Sequence, residues 1–186
     1  MSILSATAVR EIIMKEILIK DPAFETLIRK KLKKETGEIT REDMGKIDKL
    51  NGVIVVTSFP EREVLNELCD EIAAVSDISG IEYCENIQSL AVKAEVSDVY
   101  DSTVKEVIRK ICRLKSLRYL RIIGSAIRDI EWISELPLLE ELQMFNMQII
   151  PPVFSKEPKR LKKLEISDST LEGIEWICKV QSLEKI

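Results

Sequence analysis

Apolar residues in the C-terminal part of this chain return at a fixed spacing of 22 residues, in units that begin at Leu117, Leu139 and Leu161, with a partial fourth at Leu183. The first unit runs Leu117, Leu120, Ile122, Ile127, Ile130, Ile133, Leu136, and the third runs Leu161, Leu164, Ile166, Leu171, Ile174, Ile177, Val180. Glu131-Trp132-Ile133 recurs two periods later as Glu175-Trp176-Ile177. Upstream the spacing becomes helical. Residues 5–18 carry Val9, Ile12, Ile13 and Ile17 at steps of three and four. Asp21 can cap a second helix with Pro22 at its first position, a stripe of Phe24, Leu27, Ile28 and Leu32, and Gly37 to end it. Thr40-Arg-Glu-Asp43 then opens a short helix with a capping-box pattern, carrying Met44 and Ile47. Residues 52–57 are β-branched and read as a strand, and residues 60–74, with Val64, Leu65, Leu68 and Ile72 on one stripe, read as a helix. A strand around Leu90 and Val92 and a helix over 103–114, with Val107, Ile108 and Ile111 inward, follow.

A period of roughly 20 to 29 residues with an L-x-x-L-x-L start is the signature of leucine-rich repeats, in which a short strand and a return segment form each coil. The expected fold is therefore an α/β leucine-rich repeat solenoid, with a parallel sheet on the concave face and helices on the convex side of the early repeats. Residues 1–50 form a helical N-terminal cap, which covers the apolar edge that a first coil would otherwise show to water. Residues 51–186 form the repeats in one continuous domain, long and irregular over 51–116 and regular over 117–186; Ile87 lies 30 residues before Leu117. The alternative is a separate small α/β domain ahead of three repeats.

The segment Asp21-Pro-Ala-Phe-Glu-Thr-Leu-Ile-Arg-Lys-Lys-Leu, followed by Gly37-Glu-Ile-Thr-Arg-Glu-Asp-Met, resembles the helical cap of the internalin-like leucine-rich repeat proteins of bacteria. Val75-Ser-Asp-Ile-Ser-Gly-Ile-Glu-Tyr is similar to that family's x-I-x-D-I-x-x-L-x-x segment, which recurs in Ile127-Arg-Asp-Ile-Glu-Trp-Ile. The resemblance covers most of residues 21–186 and implies protein recognition without catalysis. Such relatives are often exported or surface-anchored and bind host or cell-surface proteins. The chain departs from the family at the ninth repeat position, where an asparagine ladder is usual and Ser125, Met147 and Ser169 stand. Methionine cannot supply the ladder bond, and Pro151, Pro152 and Pro158 each remove a backbone donor, so the middle coil is expected to be the least regular.

Composition removes most chemistry. A formal charge of −4 and a pI near 5.2 give no general pull toward nucleic acid. Histidine is absent, and with it the commonest general base and metal ligand. Cys69, Cys84, Cys112 and Cys178 form no C-x-x-C pair and are expected to be buried small hydrophobes. No apolar run approaches the ~20 residues of a membrane span, and the N-terminus lacks the basic n-region of a signal peptide. The expectation is a cytoplasmic protein, extracellular if a signal peptide precedes this sequence, with no cofactor, no nucleic acid and no membrane. The acidic groups Glu140-Glu141 and Asp98 with Asp101 read as solvated repeat positions, and no phosphate loop or hydrolase motif appears. Two basic runs stand out, Lys30-Lys31-Lys33-Lys34 at a helix end, where the macrodipole favours them, and Lys159-Arg160-Lys162-Lys163.

Function is then expected on the exposed strand positions, which form columns because equal positions of neighbouring coils lie about 4.8 Å apart. The column Arg118, Glu140, Lys162, Glu184 alternates in sign and reads as cross-strand pairing. The neighbouring columns are Tyr119, Glu141, Lys163; Arg121, Gln143, Glu165; and Ile123, Phe145, Ser167. Tyr119, Ile123 and Phe145 have no repeat-derived reason to be large and apolar, and aromatics beside arginine are enriched at binding hot spots. Tyr119, Arg121, Ile123, Gln143, Phe145 and Glu165 are therefore the candidate partner-binding residues, for an unknown protein partner. The competing reading tucks Ile123 and Phe145 under a loop. A homodimer through the last strand, Leu183 to Ile186, is a second possibility, since an open edge strand invites pairing.

Overall fold

A computed structural model describes residues 17–56, 73–95, 102–124 and 127–186. The expected helices over 5–18 and 60–74 lie outside these residues except at their ends, as do Cys69, Asp98, Asp101 and Ser125.

The cap begins with α1 (Pro22–Leu32). Asp21 Oδ1 accepts from the N–H groups of Ala23 and Phe24 at 2.9 and 3.2 Å, the N-cap bonds the sequence suggested. Its second oxygen, Oδ2, accepts from the backbone N–H and hydroxyl of Ser76, both at 2.9 Å. One carboxylate thus starts the helix and fastens it to the sheet. The helix ends at Leu32 rather than Gly37, because Lys33 takes the left-handed conformation (φ 52°) and its N–H closes on Arg29 and Lys30; Gly37 turns the following loop (φ 85°). In α2 (Arg41–Gly45) both halves of the Thr40–Asp43 capping box form. Lys34 Nζ lies 2.7 Å from Asp43 Oδ2, so part of the first basic run ties the two cap helices together. That ion pair and the Thr40 N–H hold the Asp43 carboxyl well below the ordinary range.

Among the described residues, six parallel strands form the main sheet: β1 (Lys49–Val56), β2 (Ala73–Val75), β3 (Ser89–Glu95), β4 (Tyr119–Ile123), β5 (Glu141–Phe145) and β7 (Lys163–Ser167), in the spatial order β2-β1-β3-β4-β5-β7. Ala73 and Ala74 were expected to end a helix, yet they pair with Val53 and Ile54 on the outer side of β1. The chain therefore steps outward to β2, beneath the cap, before crossing back to β3. Ser89 pairs with Tyr119, Tyr119 with Glu141 and Glu141 with Lys163, so β3 joins directly to the 22-residue coils. The early strands share one sheet with the later ones. The helix α3 (Ser102–Ile111) fills the longer connection between β3 and β4, burying Val104, Val107 and Ile111. Later connections use 3₁₀ turns at Glu131–Glu135 and Ile177–Lys179, and a second, two-stranded parallel sheet of β6 (Gln148–Ile149) with β8 (Thr170–Leu171).

The apolar repeat positions meet inside the coils. Leu120, Leu142 and Leu164 are buried in register, as are Ile122 with Met144 and Leu117, Leu139 with Leu161. Each such side chain gives roughly 1.5–3 kcal/mol. Burial then falls away in the last coil, where Ile166, Leu171, Ile177 and Leu183 are only partly covered and Ile174 is 60% exposed. The tryptophan period extends to Phe154 in the middle coil, whose ring meets Trp176 edge-on at 6.2 Å.

The middle coil is as regular as its neighbours, contrary to expectation: β5 pairs with β4 and β7 without a register shift. Met147 is buried in the core, and its N–H donates instead to the Ser169 hydroxyl of the next coil at 3.1 Å. Each of these strands leaves the sheet through one left-handed residue at the same repeat position, Gly124 (φ 127°), Asn146 (φ 53°) and Asp168 (φ 52°). At Gly124 an added Cβ would stand 2.1 Å from the Ala94 carbonyl oxygen, so only glycine fits where β4 meets the longer coil of β3.

Between α3 and the turn after β2 lies an ion pair of a buried lysine with a part-buried aspartate. Lys110 Nζ contacts Asp77 Oδ1 and donates to the Ser79 hydroxyl at 2.9 Å, with its side chain 5% exposed and that of Asp77 27%. Burial pushes the Asp77 carboxyl up, but hydrogen bonds from Lys110 and Ser79 outweigh it and hold the group below its ordinary range.

Candidate functional site

Along β4 the pleat turns Leu120 and Ile122 inward and leaves Tyr119, Arg121 and Ile123 on the opposite face. The strict register then brings the six candidate residues into one patch. Three rows cross the strands: Tyr119, Glu141 and Lys163; Arg121, Gln143 and Glu165; and Ile123, Phe145 and Ser167.

Polar contacts knit the patch into a network. Arg121 Nε donates to Gln143 Oε1 at 2.7 Å, and Gln143 Nε2 donates to Glu141 and Glu165, both at 3.0 Å. Lys163 Nζ lies 2.7 Å from Glu141 and 3.7 Å from Glu165, and the Glu141 contact raises its pKa. Each of these exposed pairs is weak on its own, but together they hold the side chains in one arrangement. The Arg121 guanidinium lies 5.5 Å from the centre of the Phe145 ring. Phe145 and Ile123 are half-buried, so Phe145 is covered in part by arginine and still belongs to the face. Tyr119 is 45% exposed.

Charge on this face is unevenly matched. Glu141 and Glu165 share Lys163, while Arg121 forms no ion pair among the described residues. Lys93, which has a partner of its own, stands diagonally across from Arg121, since Ala91 pairs with Arg121 and Lys93 with Ile123.

The alternating column behaves differently from expectation. Arg118 and Glu140 do pair, at 2.8 Å, but among the described residues Lys162 and Glu184 form no ion pair. Cross-strand pairing is instead carried by Lys163, one position on. Glu140 and Glu141 are thus both engaged by cations. The second basic run divides: Lys163 joins the strand face, whereas Lys159, Arg160 and Lys162 border a depression of about 450 Å³ with Glu140 and Glu184, a mixed-sign rim.

The cysteines also separate. Cys84 is buried and its thiol is pushed up to about 12 by burial, Cys112 is half-buried and raised for the same reason, and Cys178 is exposed. Cys178 departs from expectation because it lies in the last coil, where cover falls away. No group of three or more acidic or cysteine side chains is placed to hold a metal among the described residues, and no described helix is long and apolar enough to cross a membrane.

Residues that the repeat reading missed lie on the earlier strands. Asn51, Ser89 and Ala91 border the same face next to Tyr119 and Arg121. The Asn-Gly pair at 51–52 was the available signal, since a turn-forming pair directly precedes the β-branched run from Val53.

No protein-family model and no curated protein matches this chain. Among solved structures it is similar to an internalin from Listeria monocytogenes, with 18% identity and a TM-score of 0.48 over 88% of this chain, which spans 48% of that one. It is also similar to an internalin C2 of that organism, with 14% identity and a TM-score of 0.40 over 92% of this chain and 96% of that one. The parallel strands in 22-residue register, inward leucines and left-handed corners make this chain a leucine-rich repeat solenoid.

Proposed function

We propose that this chain is a protein-recognition module whose partner docks across the strand face formed by Tyr119, Arg121, Ile123, Gln143, Phe145 and Glu165. One observation carries the reading: Arg121 is exposed, aimed by Gln143, stacked beside Phe145 and without an ion-pair partner among the described residues. A rigid arginine beside aromatics is the composition of a hot spot, and its pre-set geometry lowers the ordering cost of binding. The contacts there are modest in energy, which suits a surface kept for a partner more than one built for stability. Replacing Tyr119, Arg121 and Phe145 together with alanine tests the reading, using affinity capture from the native organism's lysate as the assay. Partner capture should disappear while the melting temperature moves little; unaltered capture would sink the proposal.

A second reading rests on the exposed apolar side chain of Ile174, at 60%. The chain self-associates through the edge that carries it. Light scattering should then show a concentration-dependent dimer that Leu183→Lys abolishes; a monomer at all concentrations rejects it.

A further inference from the structure

Leu50 pairs with Leu90 and Val53 with Val92, so Asn51 and Gly52 together oppose the single residue Ala91. A bulge of this kind bends its strand and leaves the facing position without a regular neighbour. The row that contains Ala91 continues as Arg121, Gln143 and Glu165 on successive strands. Long side chains therefore give way to a methyl group at the place where the neighbouring strand bulges. The result is a depression of about 200 Å³ with Asn51, Ser89, Ala91, Tyr119 and Arg121 on its rim. Small-molecule sites run to about 300–1,000 Å³, so this one suits a single side chain.

The rim chemistry selects which side chain. Tyr119 and Arg121 bring O–H and N–H donors, while Ser89 and Asn51 stand 3.4 Å apart and hydrogen-bond each other. Glu141 also borders the depression, but its carboxylate already accepts from Lys163 and Gln143. Arg121 is committed only through Nε, and its terminal nitrogens make no hydrogen bond with the described residues. A basic side chain entering here would meet Arg121 as a like charge, whereas a carboxylate matches its planar fork. We propose that the depression takes one aspartate or glutamate side chain from a protein segment laid across the strand face, with Arg121 as the charged donor and Ala91 as the floor. This rests on the strand face being the docking surface.

The test uses random dodecapeptides on phage, selected on the immobilised full chain, with the enriched sequences then synthesised and titrated by fluorescence anisotropy. The enriched peptides should share one acidic residue, and changing it to its amide should weaken binding at least about tenfold, as loss of a hydrogen bond to a charged group implies. Ala91→Leu, which fills the depression without altering charge, and Arg121→Gln should weaken binding equally while leaving the circular-dichroism melt in place. A shared motif without an acid, or full binding to the Ala91→Leu protein, overturns the carboxylate pocket and leaves the face reading standing. Peptides that bind undiminished when Tyr119 and Phe145 are both alanine overturn the face reading itself.

Discussion

Replacing Asp77 with asparagine should destabilise this protein by about 2–3 kcal/mol at neutral pH. Removing one partner of a buried ion pair costs about 3–5 kcal/mol when the other charge is left stranded. Here Lys110 keeps the Ser79 hydroxyl at 2.9 Å and Glu106 at 3.5 Å, and Asp77 is itself 27% exposed, so the lower figure applies. Lys110→Met should cost less, about 1–2 kcal/mol, because Asp77 keeps the Ser79 N–H and reaches water. The double variant should come out well short of the sum, since neither charge remains to be compensated. Urea denaturation followed by circular dichroism measures all three, at roughly 2–4 °C of melting temperature per kcal/mol for a chain of this size. The pH dependence supplies the sign. Asp77 has a depressed pKa in the folded state, so its contribution is fully present above the unfolded value of about 3.9 and is lost as pH falls through the folded one. The gap between wild type and Asp77→Asn must therefore close as pH drops from about 5 toward the folded value. A gap that stays constant on acidification, or a strictly additive double variant, would refute the reasoning.

Gly124→Ala should cost at least about 2 kcal/mol in the same assay, from left-handed strain and the clash with the Ala94 carbonyl, whereas Asn146→Gly should be nearly neutral. Asp21→Ala should exceed the ~1 kcal/mol of a lost cap, because the Ser76 bonds go too; Asp21→Ser should recover the cap part only, read as amide-exchange protection in α1. Under native conditions at pH 8, iodoacetamide should label Cys178 within minutes and Cys84 only on unfolding, as peptide mass mapping would show; equal labelling would contradict the placement of Cys84 in the core.

The coils from Leu117 onward were legible because one period fixes both burial and register: once Leu117, Leu139 and Leu161 align, every exposed residue of β4, β5 and β7 has a known neighbour. That is how Arg121, Gln143 and Glu165 could be grouped from sequence. Strand β2 was not legible, since three residues beginning with two alanines show no alternation, and their apolar character continued the stripe of residues 60–74. The end of α1 was hidden because a lysine, with no special signal, takes the left-handed position that Gly37 advertised. The charge column misled through side-chain reach: Lys163 finds acids on both the same strand and its neighbour, while Lys162 finds none among the described residues. The depression beside Ala91 depends on a bulge, and a bulge shifts register by one without changing composition.

Strands β3 and β4 pair residue for residue at an offset of 30 residues with an α-helix between them, just as β4 and β5 do at an offset of 22 with no α-helix among the described residues. The spacing of the strand face is therefore independent of what lies behind it. For an engineer, this separates two jobs that most domains entangle: the back of a coil is a place to insert a tag, a fluorophore or a helix while the strand face in front keeps its dimensions.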